Sequence, residues 1–157
     1  QIGQFIGRTF PGAQLIDVQQ LTAGASQQTF RVSVRHPEGH EADYALRRAQ
    51  PGLERSSYGQ VTPSVEAELL ALASSAHVPV PMVIESLHSS DGLGDGYLME
   101  WLQGETMGQR IVKLPELESA RENLSFECGQ ALARIHGCST IPLRPADPLW
   151  PNCSQRS

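Results

Sequence analysis

The chain has 157 residues, of which 39% are apolar and 14 are glycine, and 12 basic against 17 acidic side chains leave a net charge of −5. This is the composition of one globular domain, so collagen-like and wholly disordered chains are excluded. The acidic balance argues against nucleic acid as a partner, because backbone binding needs a basic surface. The longest uninterrupted apolar run, Leu69–Ala73, falls far short of the roughly 20 residues that span a bilayer, so no membrane partner is expected. Cys128, Cys138 and Cys153 form no CxxC pair, and Gln1–Gln4 lack the basic start of a signal peptide. The expectation is a cytoplasmic protein with reduced thiols.

In chain order, Leu15–Leu21 suits a strand, and the small, polar segment 22–28 a loop. Thr29–Arg35 alternates strictly, with Phe30, Val32 and Val34 on one face and Thr29, Arg31, Ser33 and Arg35 on the other. His36–His40 reads as a turn and Asp43–Arg48 as a short strand. Residues 49–61, with Pro51, Gly52 and Gly59, read as a mobile loop. A helix is predicted over Thr62–Ala76, capped by Thr62, with Val65, Leu69, Leu72, Ala73 and Ala76 as its apolar stripe. Met82–Leu87 and Gly96–Leu102 are strands joined by a turn over Ser89–Asp95. A long helix opens at Pro115 and ends at Gly137, with Leu117, Ala120, Leu124, Cys128, Ala131, Leu132 and Ile135 on one face. The tail 139–157 shows no periodicity. About five strands with one inserted helix, then a helical region, is an α+β order with an antiparallel sheet.

Four segments carry candidate chemistry. The Gly24-Ala25-Ser26 loop lets backbone N–H groups approach a phosphate, although a plain hairpin turn would look alike. In Tyr44-Ala45-Leu46-Arg47, alternation puts small Ala45 and cationic Arg47 on one face, as a nucleotide base and its phosphates would require. A strand ending in two exposed arginines is the plainer reading. Glu66 precedes Leu69, Leu70 and Ala73 at helical spacings, so it lies near the buried edge and is the candidate for the helix carboxylate that a kinase pairs with its strand cation, with Glu68 as fallback and a solvated acid as the bland alternative. The strand through Met99, Glu100 and Leu102 runs into Gly104, which resembles the hinge of protein kinases; that resemblance makes the Glu100 carbonyl and the Leu102 N–H the candidates to meet a base, with Met99 at the back of the pocket.

Taken in order, Gly24-Ala25-Ser26, Thr29-Phe30, Leu46-Arg47-Arg48, Glu66, Val78-Pro79-Val80-Pro81, Met99-Glu100, Gly104-Glu105 and Ala131–His136 resemble the aminoglycoside phosphotransferase family over about residues 5–138. The arginine at 47, where the family's kinase-like fold usually has lysine, is similar to the branch of kinase-like domains attached to some acyl-CoA dehydrogenases. The resemblance implies a protein-kinase-like N-terminal lobe over 1–103, then a hinge-linker and the start of a C-terminal lobe over 104–157. It implies transfer of phosphate from ATP or GTP, with Mg2+, to a hydroxyl of a small molecule, an aminoglycoside-like acceptor being one candidate. Gly24, Ala25, Ser26, Ala45, Arg47, Met99, Glu100 and Leu102 would then bind nucleotide, and Glu66 would support Arg47. The family's His-Gly-Asp catalytic loop and its later metal-binding aspartate are not matched, since His136-Gly137 continues as Cys138. The chain therefore reads as the N-terminal portion of a longer enzyme, with no catalytic residue, metal ligand or acceptor site of its own. A non-catalytic or degenerate nucleotide-binding module is the alternative.

Other features read as structural. Gly92-Leu93-Gly94-Asp95-Gly96 precedes a strand instead of opening a helix, so it is a turn. His36 and His40 straddle Pro37 and Gly39 in a turn, and only a helix would place both on one face, so no metal site is expected there. His77 and His88 read as surface residues, and Trp101 as a hinge packing residue or part of the pocket mouth.

Overall fold

The structure, a computed structural model, describes residues 1–23, 27–51 and 61–137. The elements are α1 (Ile2–Thr9), β1 (Gln14–Ala23), β2 (Gln27–Arg35), β3 (Glu41–Ala49), α2 (Pro63–Ser75), β4 (Val83–Ser86), β5 (Gly96–Glu100), α3 (Gly108–Lys113) and α4 (Glu118–Gly137). The strands form one five-stranded sheet in the order β1-β2-β3-β5-β4. Every neighbouring pair is antiparallel. The expected α+β lobe with paired second and third strands is therefore present.

The alternation of β2 divides the sheet as its sequence requires. Val32 and Val34 are fully buried, and with Leu46, Leu93, Leu98, Phe5 and Ile6 they make the core on one face. That core is roofed by α1, an element the sequence reading did not assign. Its N-cap, Gln1, makes no side-chain capping bond, and its first turn carries no acidic residue. Without a start signal, eight residues do not make a stable helix alone; burial of Phe5 and Ile6 stabilises it. Arg8 then fastens α1 across the sheet edge, donating to Asp91 at 2.9 and 3.2 Å and to Glu85 at 3.4 Å.

The opposite face carries α2. Thr62 caps it as expected, accepting from the Val65 N–H, and Pro63 occupies its first turn. The predicted stripe needs correction, however. Val65 and Leu69 are 37% and 39% exposed, while Pro63 and Ala67 are the buried residues of the helix. The small Ala67 lets the helix approach the sheet closely, and the bulkier residues flank the contact.

Between β4 and β5, Gly92 and Gly94 take left-handed backbone at φ 65° and 82°, and Leu93 between them drops into the core. Gly96 begins β5 where a Cβ would stand 2.6 Å from the Arg47 carbonyl, so only glycine lets β5 pair here with β3. The predicted long helix begins later than expected: Pro115–Leu117 form a 3-10 turn before α4. The short α3 was not anticipated, and Arg121 ties it to α4 by donating to the Ile111 and Leu114 carbonyls at 2.9 and 2.7 Å. Along α4 the predicted apolar face is largely bare, with Leu124, Leu132 and Ile135 exposed. No described helix is long and apolar enough to cross a membrane.

Candidate functional site

Strand register assembles a row of side chains on the face of the sheet that carries α2. Arg47 of β3 stands opposite Thr29 of β2 and Tyr97 of β5. Two residues along, Ala45 stands between Arg31 and Met99. Ala45 is buried and Met99 half-buried, so the centre of this face is small and apolar with a cation on either side.

Arg47 joins three elements. Its Nε lies 3.0 Å from Glu66 Oε2 of α2. The Nε–H is directed to Gln27 Oε1 of β2, at 2.5 Å. Glu66 Oε2 is consequently buried with no hydrogen-bond partner among the described residues, and charge alone holds it to the guanidinium. Glu68, the fallback carboxylate, is exposed. Beneath the pair lies Tyr97, 1% exposed. Burial pushes its hydroxyl up to about 12, the Glu66 charge adding to the effect and Arg47 opposing it, so Tyr97 stays neutral at ordinary pH. Arg48 faces the other way, donating to Gln28 Oε1 at 3.0 Å and covering the Phe30 ring. Neither arginine is the exposed strand end of the plainer reading.

A second cluster was missed from sequence. Arg31 Nη2 contacts Asp43 Oδ2 at 2.5 Å, and Ser33 donates to Asp43 Oδ1 at 2.6 Å. These bonds, the arginine's first, hold the Asp43 carboxyl below its usual range. The Arg31 guanidinium lies 5.5 Å from the Trp101 ring centre, in cation–π range. Trp101 thus packs on a strand arginine beside the linker. The alternation of β2 had placed Arg31 and Ser33 together; only the β3 register brings Asp43 to them.

At the linker, the Glu100 N–H donates to the Met82 carbonyl at 2.9 Å, while Leu102 is exposed. Glu105 accepts from the backbone of Met107 and Thr106 and from Arg110. These contacts, the Met107 N–H foremost, hold its carboxyl below the usual range and anchor the chain entering α3. The Gly24-Ala25-Ser26 loop lies outside the described residues, as do the tail 139–157 and most of the 49–61 loop.

The parts follow in the order of a small-residue segment between β1 and β2, a strand arginine, a helix carboxylate and a linker after β5. A family model described as the phosphotransferase enzyme family matches residues 17–155. The chain belongs to the phosphotransferase enzyme family. Comparison with curated proteins found no match. As in that family's kinase-like fold, the sheet and α2 form an N-terminal lobe that is followed by a long helix.

Within this phosphotransferase fold, Mg2+ would require oxygen ligands. Of the carboxylates on this face, Asp43, Glu66 and Glu41 are each paired with an arginine, and Asp17, opposite Ser33, is exposed. A different group of side chains corrects one premise of the sequence reading, that only a helix would bring His36 and His40 together. The β2–β3 turn, not a helix, brings His36 and His40 together, with rings stacked at 4.4 Å. Glu38 joins them, and the three ligating atoms lie within 4.8 Å of one another. His77 and His88 are exposed, as expected.

Proposed function

We propose that this chain supplies the nucleotide-binding lobe of a phosphotransferase that moves phosphate from ATP or GTP to a hydroxyl of a small molecule. The observation that carries the reading is the Arg47–Glu66 approach, which links β3 to α2 beside the small, buried Ala45. In phosphoryl transfer of the kinase type, a strand cation paired with a helix carboxylate grips the phosphates. Arginine suits this role here because its fork has donors to spare. With Nε turned to Gln27, the two Nη groups have no hydrogen-bond partner among the described residues and are available for phosphate oxygens.

In this reading Ala45 lies against the base and Met99 closes the back of the pocket. Glu100 and Leu102 offer a carbonyl and an N–H to its edge, and the Gly24-Ala25-Ser26 backbone receives the phosphates. Glu66 positions Arg47. Residues 1–103 form this lobe, and residues 104–157 carry the linker, α3, α4 and the beginning of the second lobe. Mg2+, when bound, would supply positive charge to offset the charge that develops on the phosphate in transfer. Its ligands, like the acceptor site, are assigned to residues beyond this chain, since the sequence has no His-Gly-Asp motif. Calorimetry with ATP and with GTP tests the reading: weak binding that is lost in Arg47→Ala supports it, and affinity unchanged by that substitution refutes it.

One sequence observation favours a second reading, a non-catalytic nucleotide-binding module. Arg47 stands where kinase-type catalysis usually has lysine. The two separate in a longer product of the same reading frame: magnesium-dependent transfer belongs to the first, binding without transfer to the second.

A further inference from the structure

The nucleotide reading leaves the His36–Glu38–His40 turn unused. Its side chains alternate along a tight reversal, closed by the His36 N–H on the His40 carbonyl and the Gly39 N–H on the His36 carbonyl, both 2.9 Å. Gly39 takes φ 90°, a conformation that side-chain-bearing residues rarely adopt. The reversal folds positions 36, 38 and 40 onto one another and sets two imidazoles and a carboxylate within 4.8 Å.

From this geometry we infer that the β2–β3 turn is a binding site for a divalent transition-metal ion of the zinc type, held by His36, Glu38 and His40. His36 is the prearranged ligand. Its Nε2 lies 2.9 Å from the Tyr44 hydroxyl, which leaves Nδ1 for a metal. Its ring meets Phe10 edge-on at 5.0 Å, and Phe10 stacks on Tyr44 at 4.9 Å. Such an outer hydrogen bond fixes the orientation of a ligating histidine, and with Nδ1 on a metal the Nε2–H would donate to the Tyr44 oxygen. Glu38 and His40 are the adaptable ligands, with side chains 73% and 62% exposed and His40 Nδ1 3.8 Å from Glu38 Oε2. In a tetrahedral shell with bonds near 2.1 Å, ligand atoms stand about 3.4 Å apart. Rotation of the two exposed side chains covers the remaining distance, and water fills the fourth position.

The donor set chooses the ion. Imidazole suits zinc, copper and nickel, whereas magnesium and calcium prefer all-oxygen shells. The site is also remote from the nucleotide face. Glu41, at the start of β3, is six residues from Arg47, or about 20 Å of extended strand. A metal here would clip the β2–β3 hairpin and favour the folded state by mass action.

Titration calorimetry with ZnCl2 tests the site, using the Cys128→Ser/Cys138→Ser/Cys153→Ser variant so that thiols cannot bind the ion. One Zn2+ per chain is expected, with affinity falling at least tenfold in His40→Ala and in Glu38→Gln. Both positions are exposed, so both variants should keep the wild-type circular dichroism spectrum. Tyr44→Phe should weaken binding by a smaller factor while leaving all three ligands in place. Zinc should raise the thermal midpoint of the parent and not of His40→Ala, and Co2+ should give tetrahedral visible bands that His40→Ala removes. Zinc affinity unchanged in His40→Ala and Glu38→Gln, or zinc binding that disappears with the cysteines alone, overturns the proposal.

Discussion

Arg47 Nε stands 3.0 Å from Glu66 Oε2, yet its hydrogen is directed to Gln27 Oε1. The carboxylate oxygen is left buried beside a charge it does not hydrogen-bond. Arg47→Ala should therefore weaken both nucleotide binding and the lobe itself. Losing a charge-assisted contact costs roughly 1–3 kcal/mol, and a half-buried Glu66 left without its cation adds a further folding penalty. Calorimetry measures the first and urea denaturation the second. Arg47→Lys keeps the charge but not the fork, so it should recover only part of the affinity.

Tyr97 gives the alkaline side of the stability profile. Its folded pKa, about 12, lies above the ordinary value of 10.0, chiefly through burial. Its contribution is complete below pH 10 and is lost as pH rises toward 12. Tyr97→Phe should remove this slope and delete the last step of the tyrosinate absorbance titration. An unchanged last step would place that ionisation elsewhere.

Asp43 and Asp91 act at the acid end. Both carboxyls are held below the ordinary 3.8, Asp43 chiefly by Arg31 and Asp91 chiefly by Arg8. Their contributions are present above pH 3.8 and are lost as pH falls through the folded values. Asp43→Asn and Asp91→Asn should each flatten the loss of stability below about pH 4, seen in urea midpoints across that range. At pH 7 both variants should be less stable than the parent.

The roof of the core has a distinct energetic signature. Phe5 and Ile6 are fully buried against the sheet, so Phe5→Ala should cost about 3–5 kcal/mol and Ile6→Ala about 2–5 kcal/mol. Arg8→Ala, on a partly exposed ion pair, should cost far less. Gly96→Ala should approach the core substitutions in severity, because the added methyl meets the Arg47 carbonyl at 2.6 Å, backbone that cannot turn aside, as well as Leu87 Cδ1 at 2.7 Å. Thermal or chemical denaturation ranks the four.

Local physics alone determined much of this protein. Strict alternation placed Val32 and Val34 in the core and Arg31 and Ser33 on the opposite face. Thr62 and Pro63 marked the start of α2, and Gly92 and Gly94 marked a turn. The order of small loop, strand cation, helix carboxylate and glycine linker suggested the phosphotransferase relationship before any contact was known. Tertiary structure decided the rest, because the deciding partners are distant in the chain. Helix α1 has no local start signal and exists through what Phe5 and Ile6 bury. Arg31 meets Asp43 only through strand register, and the Arg47 hydrogen turns to Gln27 instead of Glu66 only because β2 lies alongside. The face of α2 that approaches the sheet was set by the smallness of Ala67, not by the largest apolar side chains. His36 and His40 meet because a left-handed Gly39 reverses the chain between β2 and β3, a geometry that residue spacing does not reveal.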